Sequence, residues 1–138
     1  MRKIVIASHG DLSKGIKSSL QMILGPMADS IVTYSLYPGQ TAETFAREAA
    51  GEIQGNPQKE YIIFTDVYGA SVCTSMFPLT SYPNVVLFAG MNLNLIIECM
   101  VSYPEPRDRE GMARLLESSR EGLRQVGPDA GDMEEEDF

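Results

Sequence analysis

The fold predicted for this chain is decided by the stretch Lys3-Ile4-Val5-Ile6-Ala7-Ser8-His9-Gly10-Asp11. A run of branched apolar residues ends at the only histidine of the protein, and a glycine follows directly. Apolar residues then recur at helical spacing, at Leu12, Ile16, Leu20, Ile23 and Leu24. The pattern predicts a strand, a tight turn and a helix, with His9 at the carboxyl end of the strand. Open α/β sheets bind ligands at this edge, so His9 lies where such a protein places its chemistry.

Composition predicts one globular domain followed by a charged tail. The chain has 138 residues, of which 43% are hydrophobic, and this is enough for a core without disulfides or metal. The net charge is −8, but six acidic residues lie in the last ten positions, which leaves 13 acidic and 11 basic residues in 1–128. We therefore expect a domain over residues 1–126 and a disordered acidic tail over residues 127–138.

The same composition argues against several classes of function. No basic stripe with interleaved aromatic residues is present, so nucleic acid is not an expected partner. Cys73 and Cys99 are far apart and the single histidine adds only one more ligand, so no metal site is expected and both thiols are interpreted as buried in a reducing compartment. No apolar run has the length of a signal-peptide core or a membrane span, which predicts a soluble, cytoplasmic protein.

Three further apolar runs predict strands at residues 31–36, 61–65 and 85–89, each followed by a helical segment. One more amphipathic helix ends the chain, and its pattern continues through Leu123. Polar residues placed to cap the helices are Thr41, Ser71 and Asn92. Alternating strands and helices predict an α/β fold with an open, mostly parallel four-stranded sheet, strand order 2-1-3-4, and helices on both faces.

This strand order makes neighbours of the first and third strands. His9 ends the first and Asp66 follows the third, so strands about 4.8 Å apart bring the two side chains together. The turns after the strands add the candidate supporting residues Gly10, Gly69, Ser71 and Asn92. Glycines allow close approach of a ligand, and helix amino ends carry N–H groups and positive dipole ends. The predicted edge therefore suits a phosphoryl group.

A histidine beside a carboxylate has three useful roles, and the residue pattern alone leaves them open. As a general base it needs a nucleophile, and Ser8, Ser13 and Ser71 are near, although no G-x-S-x-G elbow is present. As a metal ligand it has no second histidine. As a nucleophile it needs only the carboxylate, which fixes the tautomer and leaves the other ring nitrogen free. The pattern also fits a plain turn histidine and an Asx-turn or helix-cap aspartate at position 66.

Motifs in order along the chain carry a resemblance to a known family. They are Ile4-Val5-Ile6-Ala7-Ser8-His9-Gly10, Tyr37-Pro38-Gly39-Gln40-Thr41-Ala42-Glu43-Thr44, Thr65-Asp66-Val67-Tyr68-Gly69-Ala70-Ser71, Gly90-Met91-Asn92-Leu93-Asn94-Leu95-Ile96-Ile97-Glu98 and Ser119-Arg120-Glu121-Gly122-Leu123. Over about residues 2–126 the chain resembles the enzyme IIA domain of the mannose class of the bacterial sugar phosphotransferase system (PTS).

The resemblance implies a phosphocarrier without metal, nucleotide or other cofactor. His9 would accept a phosphoryl group from the histidine-containing phosphocarrier protein HPr and pass it to a IIB protein, for a sugar entering through the IIC/IID membrane permease. Asp66 matches the aspartate that orients the histidine, and Ser71 matches a neighbouring site residue. The implied location is cytoplasmic, peripheral to the permease. The resemblance also implies a homodimer that exchanges an antiparallel edge strand, here Gly122 to Val126.

The chain departs from the family pattern at Ala70 and Val72, where Gly and Pro are usual, and it lacks a fused IIB domain, so a separate IIB protein is expected. Three other functions are weighed against the phosphocarrier. One is a IIA-like phosphoryl donor to dihydroxyacetone kinase, and another is a regulatory binding module that a partner reads by its phosphorylation state. A flavodoxin-like cofactor protein fits the fold, but His9-Gly10-Asp11 replaces the Ser/Thr-rich phosphate loop.

Overall fold

The computed structural model describes residues 1–103 and 109–128. The predicted break around Pro104 and Pro106 and the acidic residues from Asp129 onward lie outside the described residues.

Strands and helices alternate along the described chain. The strands are β1 (Arg2–His9), β2 (Val32–Leu36), β3 (Glu60–Thr65) and β4 (Val85–Ala89). The α-helices are α1 (Leu12–Leu24), α2 (Ala42–Gly55), α3 (Ser71–Met76), α4 (Leu93–Ser102) and α5 (Arg109–Arg120). Two 3₁₀ turns, Gly25–Ala28 and Phe77–Ser81, extend α1 and α3, and the apolar periodicity of the sequence does not distinguish them from the helices they follow.

The four strands form one parallel sheet in the order β2-β1-β3-β4, which confirms the predicted topology. β1 lies between β2 and β3, and the register pairs Ala7 with both Tyr34 and Thr65. His9 is paired with Leu36 at the last position of β1. The residue that ends the central strand therefore stands at the carboxyl edge, and Asp66 follows its neighbour Thr65 at the same edge.

Helices pack on both faces of the sheet and divide the core into two layers. One layer is formed with α1, α4 and α5 and includes Ile6, Leu20, Phe64, Ile96 and Leu115. The other is formed with α2 and α3 and includes Val5, Ala7, Ile63, Val72 and Met76. Successive residues of a strand point to opposite faces, so the continuous apolar runs of β1 and β3 supply both layers. Both faces of the central strands are thus closed, and the open part of the sheet is its carboxyl edge.

Helix α4 is fixed at both of its ends. Asn92 Oδ1 accepts the backbone N–H of Leu95 at 2.9 Å, which confirms the predicted cap. At the other end, Arg2 donates to the backbone carbonyls of Cys99 and Tyr103 and pairs with Glu60 of β3. A guanidinium at a helix carboxyl end satisfies free carbonyls and complements the helix dipole. These bonds hold the loop before α4 at the carboxyl edge of the sheet.

Helix α5 ends at Arg120, so the prediction of a helix through Leu123 is wrong. Beyond Arg120 the backbone N–H groups of residues 121–123 donate to carbonyls three residues earlier, and Gly122 packs so closely on α4 that a Cβ atom built there would lie 1.8 Å from the Asn94 side-chain nitrogen. Leu123 and Val126 beyond it are 85% and 65% exposed. The segment predicted for strand exchange, residues 122–126, has no regular secondary structure in this single chain. Its exchange in a dimer stays a prediction.

Among residues 1–103 and 109–128, no helix is both long enough and apolar enough to cross a membrane.

Candidate functional site

His9 and Asp66 meet at the carboxyl edge of the sheet. His9 Nδ1 lies 2.7 Å from Asp66 Oδ2, and the backbone N–H of His9 donates to the same oxygen at 2.7 Å. The His9 side chain is 48% exposed, whereas the Asp66 side chain is 8% exposed. The Asp66 carboxylate therefore binds both the backbone and the ring of His9, and it leaves the other side of the ring open.

The two contacts to Asp66 select the tautomer of His9. An ionised carboxylate only accepts hydrogen bonds, so Nδ1 carries the ring proton and donates it to Oδ2. In the neutral ring, Nε2 then holds the lone pair. The nucleophilic nitrogen, Nε2, is thus on the side of the ring that faces away from Asp66.

The pKa of Asp66 keeps this arrangement in place at neutral pH. Burial by itself raises the pKa of Asp66, but hydrogen bonds from the backbone and ring of His9, together with the Val67 N–H, outweigh it. The pKa therefore lies below its ordinary value, and the carboxylate is ionised at neutral pH.

Ser71 faces the other nitrogen of the ring. Its Oγ lies 3.1 Å from His9 Nε2, and the hydroxyl donates because Nε2 carries no proton in this tautomer. The interpretation of Ser71 as a helix cap is wrong: Ala70 occupies the N-cap of α3, and Ser71 is the first helical residue. The Ser71 side chain is free to reach His9 for this reason. The first N–H groups of a helix also lack intrahelical partners, so the end of α3 near Nε2 is a donor-rich, positive end.

The departures from the family pattern fit the loop before α3. Gly69 has a φ of +82°, a conformation that L-residues rarely adopt, so any other residue would be strained at this position. Ala70 has a φ of −79°, which any residue adopts, so its methyl group adds no backbone strain. Val72 is fully buried in the layer with α2 and α3. With Ala70 and Val72 in place, Ser71 Oγ still lies within hydrogen-bond distance of His9 Nε2, at 3.1 Å.

The predicted supporting residues Gly10 and Asn92, together with Gly90, bond the loops of this edge to one another or to a helix. The N–H of Gly10 donates to the Leu36 carbonyl at 2.7 Å, so it is already paired. Gly90 donates to the Asp66 carbonyl at 2.5 Å and ties the loop after β4 to the loop after β3. Asn92 serves as the α4 cap described above. The compact constellation is thus His9, Asp66 and Ser71.

Exposed apolar side chains accompany these residues on the loops of the carboxyl edge. Leu12, which starts α1, is 50% exposed, and Val67 and Tyr68, which follow Asp66, are 61% and 85% exposed. Grouped apolar side chains on a surface are typical of protein–protein contacts. The geometry therefore suits a reactive imidazole that another protein approaches.

The described residues contain no group of three or more His, Cys, Asp or Glu side chains that could hold a metal ion. Cys73 and Cys99 are free and buried. Burial raises the pKa of the Cys99 thiol to about 11, so the thiol is protonated at neutral pH. Neither cysteine is in the constellation around His9.

Reasoning from the sequence missed a second group of side chains, beside the turn at residues 9–11 that follows β1 (the acceptor turn). Tyr37 donates from its hydroxyl to Asp11 Oδ1 at 2.5 Å and accepts from Lys14 Nζ at 2.7 Å. Tyr37 opens one of the motifs of the resemblance, which was the only signal available. The partners are 23 and 26 residues away in sequence, so periodicity could not have paired them.

Several solved structures share this fold. The chain is similar to EIIA from Streptococcus agalactiae, with 24% identity, TM-score 0.76, and 91% and 97% of the two chains covered. It is similar to the mannose/sorbose specific IIA subunit from Enterococcus faecalis, with 24% identity, TM-score 0.77, and 91% and 95% covered. It is also similar to the IIA protein associated with the fucose utilization operon of Streptococcus pneumoniae, with 24% identity, TM-score 0.72, and 90% and 92% covered. At this identity the similarity shows the fold.

Comparison with curated proteins found no match. Residues 3–115 match the family described as the PTS system fructose IIA component, EIIA-man, and this region contains β1 to β4 with His9, Asp66 and Ser71. The match covers most of the 138 residues. The chain therefore belongs to the EIIA-man family of the sugar phosphotransferase system.

Proposed function

We propose that this IIA component carries phosphoryl groups on His9 Nε2, taking them from HPr and passing them to a IIB component. The observation that carries the proposal is the position of His9, which donates from Nδ1 to Asp66 and presents Nε2 beside Ser71 on an exposed surface. The family supplies the PTS role.

The proposed transfer is a displacement at phosphorus. The Nε2 lone pair of neutral His9 forms a bond to the phosphorus of the phosphohistidine of HPr, and the phosphorus–nitrogen bond of the donor breaks with the electron pair returning to the donor imidazole. The His9 ring becomes positively charged while Nδ1 keeps its proton, and the Asp66 carboxylate at 2.7 Å stabilises that charge. Transfer to IIB is the same exchange, with phospho-His9 as donor.

Ser71 and the amino end of α3 act on the transferred group. Before transfer the Ser71 hydroxyl donates to Nε2 at 3.1 Å. When phosphorus occupies that lone pair, the hydroxyl can donate to a phosphoryl oxygen with only a rotation about χ1. The helix amino end adds N–H groups and a positive dipole end where negative charge accumulates. These groups stabilise charge on the phosphoryl oxygens and need no metal ion.

The partners in this proposal are HPr, the IIB protein and, through IIB, the IIC/IID permease at the cytoplasmic face of the membrane. The exposed side chains of Leu12, Val67 and Tyr68 give a partner an apolar contact beside His9. A homodimer formed by exchange of residues 122–126 belongs to the same proposal, and the exposure of Leu123 and Val126 in a single chain supports it.

The test is the mass of the intact protein after incubation with phosphoenolpyruvate, enzyme I and HPr. We expect a gain of one phosphoryl group that is lost on acid treatment and is absent in His9→Ala. His9→Ala should keep the circular dichroism of the wild type, because the side chain is half exposed. Incubation of the phosphorylated protein with a IIB protein should remove the group. No gain in the presence of competent phospho-HPr would contradict the proposal and favour a binding module.

A further inference from the structure

The acceptor turn around His9 is joined to the end of β2 by a row of hydrogen bonds that the proposed chemistry does not use. Residues Ser8–Lys14 form one side of this contact and Tyr34–Tyr37 form the other, and we call it the loop clasp. At its centre the Gly10 N–H donates to the Leu36 carbonyl at 2.7 Å. β2 is an edge strand, so the clasp secures the side of the turn opposite Asp66.

Two buried hydroxyl groups form the inner part of the loop clasp. Ser8 and Ser13 are fully buried. Ser13 Oγ lies 3.0 Å from both the Tyr34 carbonyl and Ser35 Oγ, and the Ser13 N–H donates to Ser8 Oγ at 2.8 Å. Buried hydroxyls cost stability unless they are paired, and both are paired across the turn that carries His9. Ser8, the residue before His9, is thereby bonded to the first turn of α1.

Tyr37 forms the outer part of the loop clasp. Asp11 occupies the N-cap of α1, but its side chain makes no capping bond and instead accepts the Tyr37 hydroxyl at 2.5 Å. Lys14 donates to the same hydroxyl and lies 5.2 Å from the centre of the Tyr37 ring. The hydrogen bond to Tyr37 raises the pKa of Lys14, so the lysine stays charged. The carboxylate that precedes α1 and an ammonium group in its first turn therefore share the phenol of Tyr37, which follows β2.

We propose that Tyr37, through Asp11 and Lys14, is a positioning residue for phosphoryl transfer at His9. This inference rests on the proposed function. Asp66, which follows β3, binds the imidazole, and the loop clasp bonds the backbone of the turn to the end of β2. Together they keep His9 Nδ1 bonded to Asp66 Oδ2 and His9 Nε2 pointing outward. Tyr37 acts only through the turn and takes no part in the chemical step.

The expected effect follows from the sensitivity of transfer to geometry. A reacting group displaced by about 1 Å can lose roughly a hundredfold in rate. Removal of the Tyr37 hydroxyl leaves the Gly10 and Ser13 bonds in place, so a smaller displacement is expected. Tyr37→Phe should therefore lower the rate of phosphoryl acceptance by about tenfold, less than the roughly hundredfold loss for a displacement of about 1 Å. The ring remains and keeps its contact with Lys14, so the fold is not at risk.

The experiment combines transfer rates with the nitrogen signals of the imidazole. His9 is the only histidine, so its two ¹⁵N resonances report the tautomer without assignment work. In Tyr37→Phe we expect a larger fraction of the Nε2-protonated tautomer, because the bond from Nδ1 to Asp66 is weakened. Asp11→Ala removes one of the two hydrogen bonds of the Tyr37 hydroxyl and should shift both readouts in the same direction, and the double variant should be no worse than Tyr37→Phe. Asp11→Asn keeps an acceptor for the Tyr37 hydroxyl and should restore most of the rate.

Tyr82→Phe is the matched control, because Tyr82 also accepts one side-chain hydrogen bond, from Gln54, at the opposite end of the sheet. It should leave both readouts at the wild-type values. An unchanged tautomer in Tyr37→Phe, or equal losses in Asp11→Asn and Asp11→Ala, would overturn the inference. Failure of the wild type to accept phosphate would instead overturn the proposed function. The tautomer measurement needs no phosphate, so it decides the positioning role in that case too.

Discussion

Replacement of Asp66 by Asn tests how the site prepares its nucleophile. Asp66 Oδ2 accepts two hydrogen bonds from His9, one from the backbone and one from the ring, both 2.7 Å long. Asn has nearly the same shape but no charge. The substitution therefore removes the charge from both bonds and leaves the packing around a side chain that is 8% exposed.

The magnitude follows from the ring bond, because the backbone bond is the same before and during transfer. A hydrogen bond to a charged group contributes about 1.5–3 kcal/mol and one between neutral groups about 0.5–1.5 kcal/mol, a difference of roughly 1–1.5 kcal/mol. Loss of this energy as the ring becomes positively charged should lower the rate of phosphoryl acceptance by about 5- to 13-fold. Asp66→Ala removes the acceptor as well and should lose more.

The assay is a single turnover from phospho-HPr, quenched in alkali because phosphohistidine is acid-labile, with phosphoprotein measured by intact mass. Asp29→Asn is a suitable control, since Asp29 accepts one bond from Gln21 on the exposed surface far from His9 in the fold. It should transfer at the wild-type rate. An Asp66→Asn variant that is folded and within threefold of the wild-type rate would refute the role given to the carboxylate.

Four further predictions concern stability and reactivity. The pKa of Asp66 lies below its ordinary value of 3.8, so the ionised carboxylate stabilises the fold. This stability is fully present above pH 3.8 and is lost as the pH falls through the lower pKa of the folded state. In urea unfolding, the free energy of unfolding of Asp66→Asn should therefore decrease less with acid than that of the wild type. Ser119→Ala should lower the free energy of unfolding by about 1–2 kcal/mol, because the buried Ser119 hydroxyl donates to Glu98 at 3.0 Å. Equal stability of variant and wild type in urea would contradict this prediction. Gly69→Ala should cost about 1–2 kcal/mol through its positive φ although the space is open, which thermal unfolding would show. Cys99 should resist iodoacetamide in the native protein and react in urea, and rapid native labelling seen by mass would refute its burial.

The fold could be predicted from the sequence because each strand gives a local signal. The apolar run before His9, the runs at 61–65 and 85–89 and the helical periodicity between them are properties of single segments. General rules for right-handed crossovers and open sheets then gave the strand order that the structure confirms. Element ends were less certain. Just beyond the end of α5, Gly122 packs against Asn94 of α4, a contact between distant segments that no local pattern contains.

The site was accessible from the sequence only in part. His9 and Asp66 could be brought together because both positions follow from the strand ends and the strand order. Ser71 was misinterpreted as a cap, because its side-chain direction depends on the conformation of the loop before α3. The bonds of Tyr37 to Asp11 and Lys14 join two loops, and loop hydrogen bonds carry no periodic signal. The resemblance marked the position of Tyr37 but gave no reason for it.

The central claim is that phosphate is carried on Nε2 of His9. The most direct measurement is the ³¹P–¹⁵N coupling in protein that is labelled with ¹⁵N and phosphorylated by HPr. Because Nδ1 faces Asp66 and Nε2 is on the open side of the ring, phosphorus should couple to Nε2 of this single histidine while Nδ1 keeps its proton. Coupling to Nδ1, or phosphate on any other residue, would contradict the account.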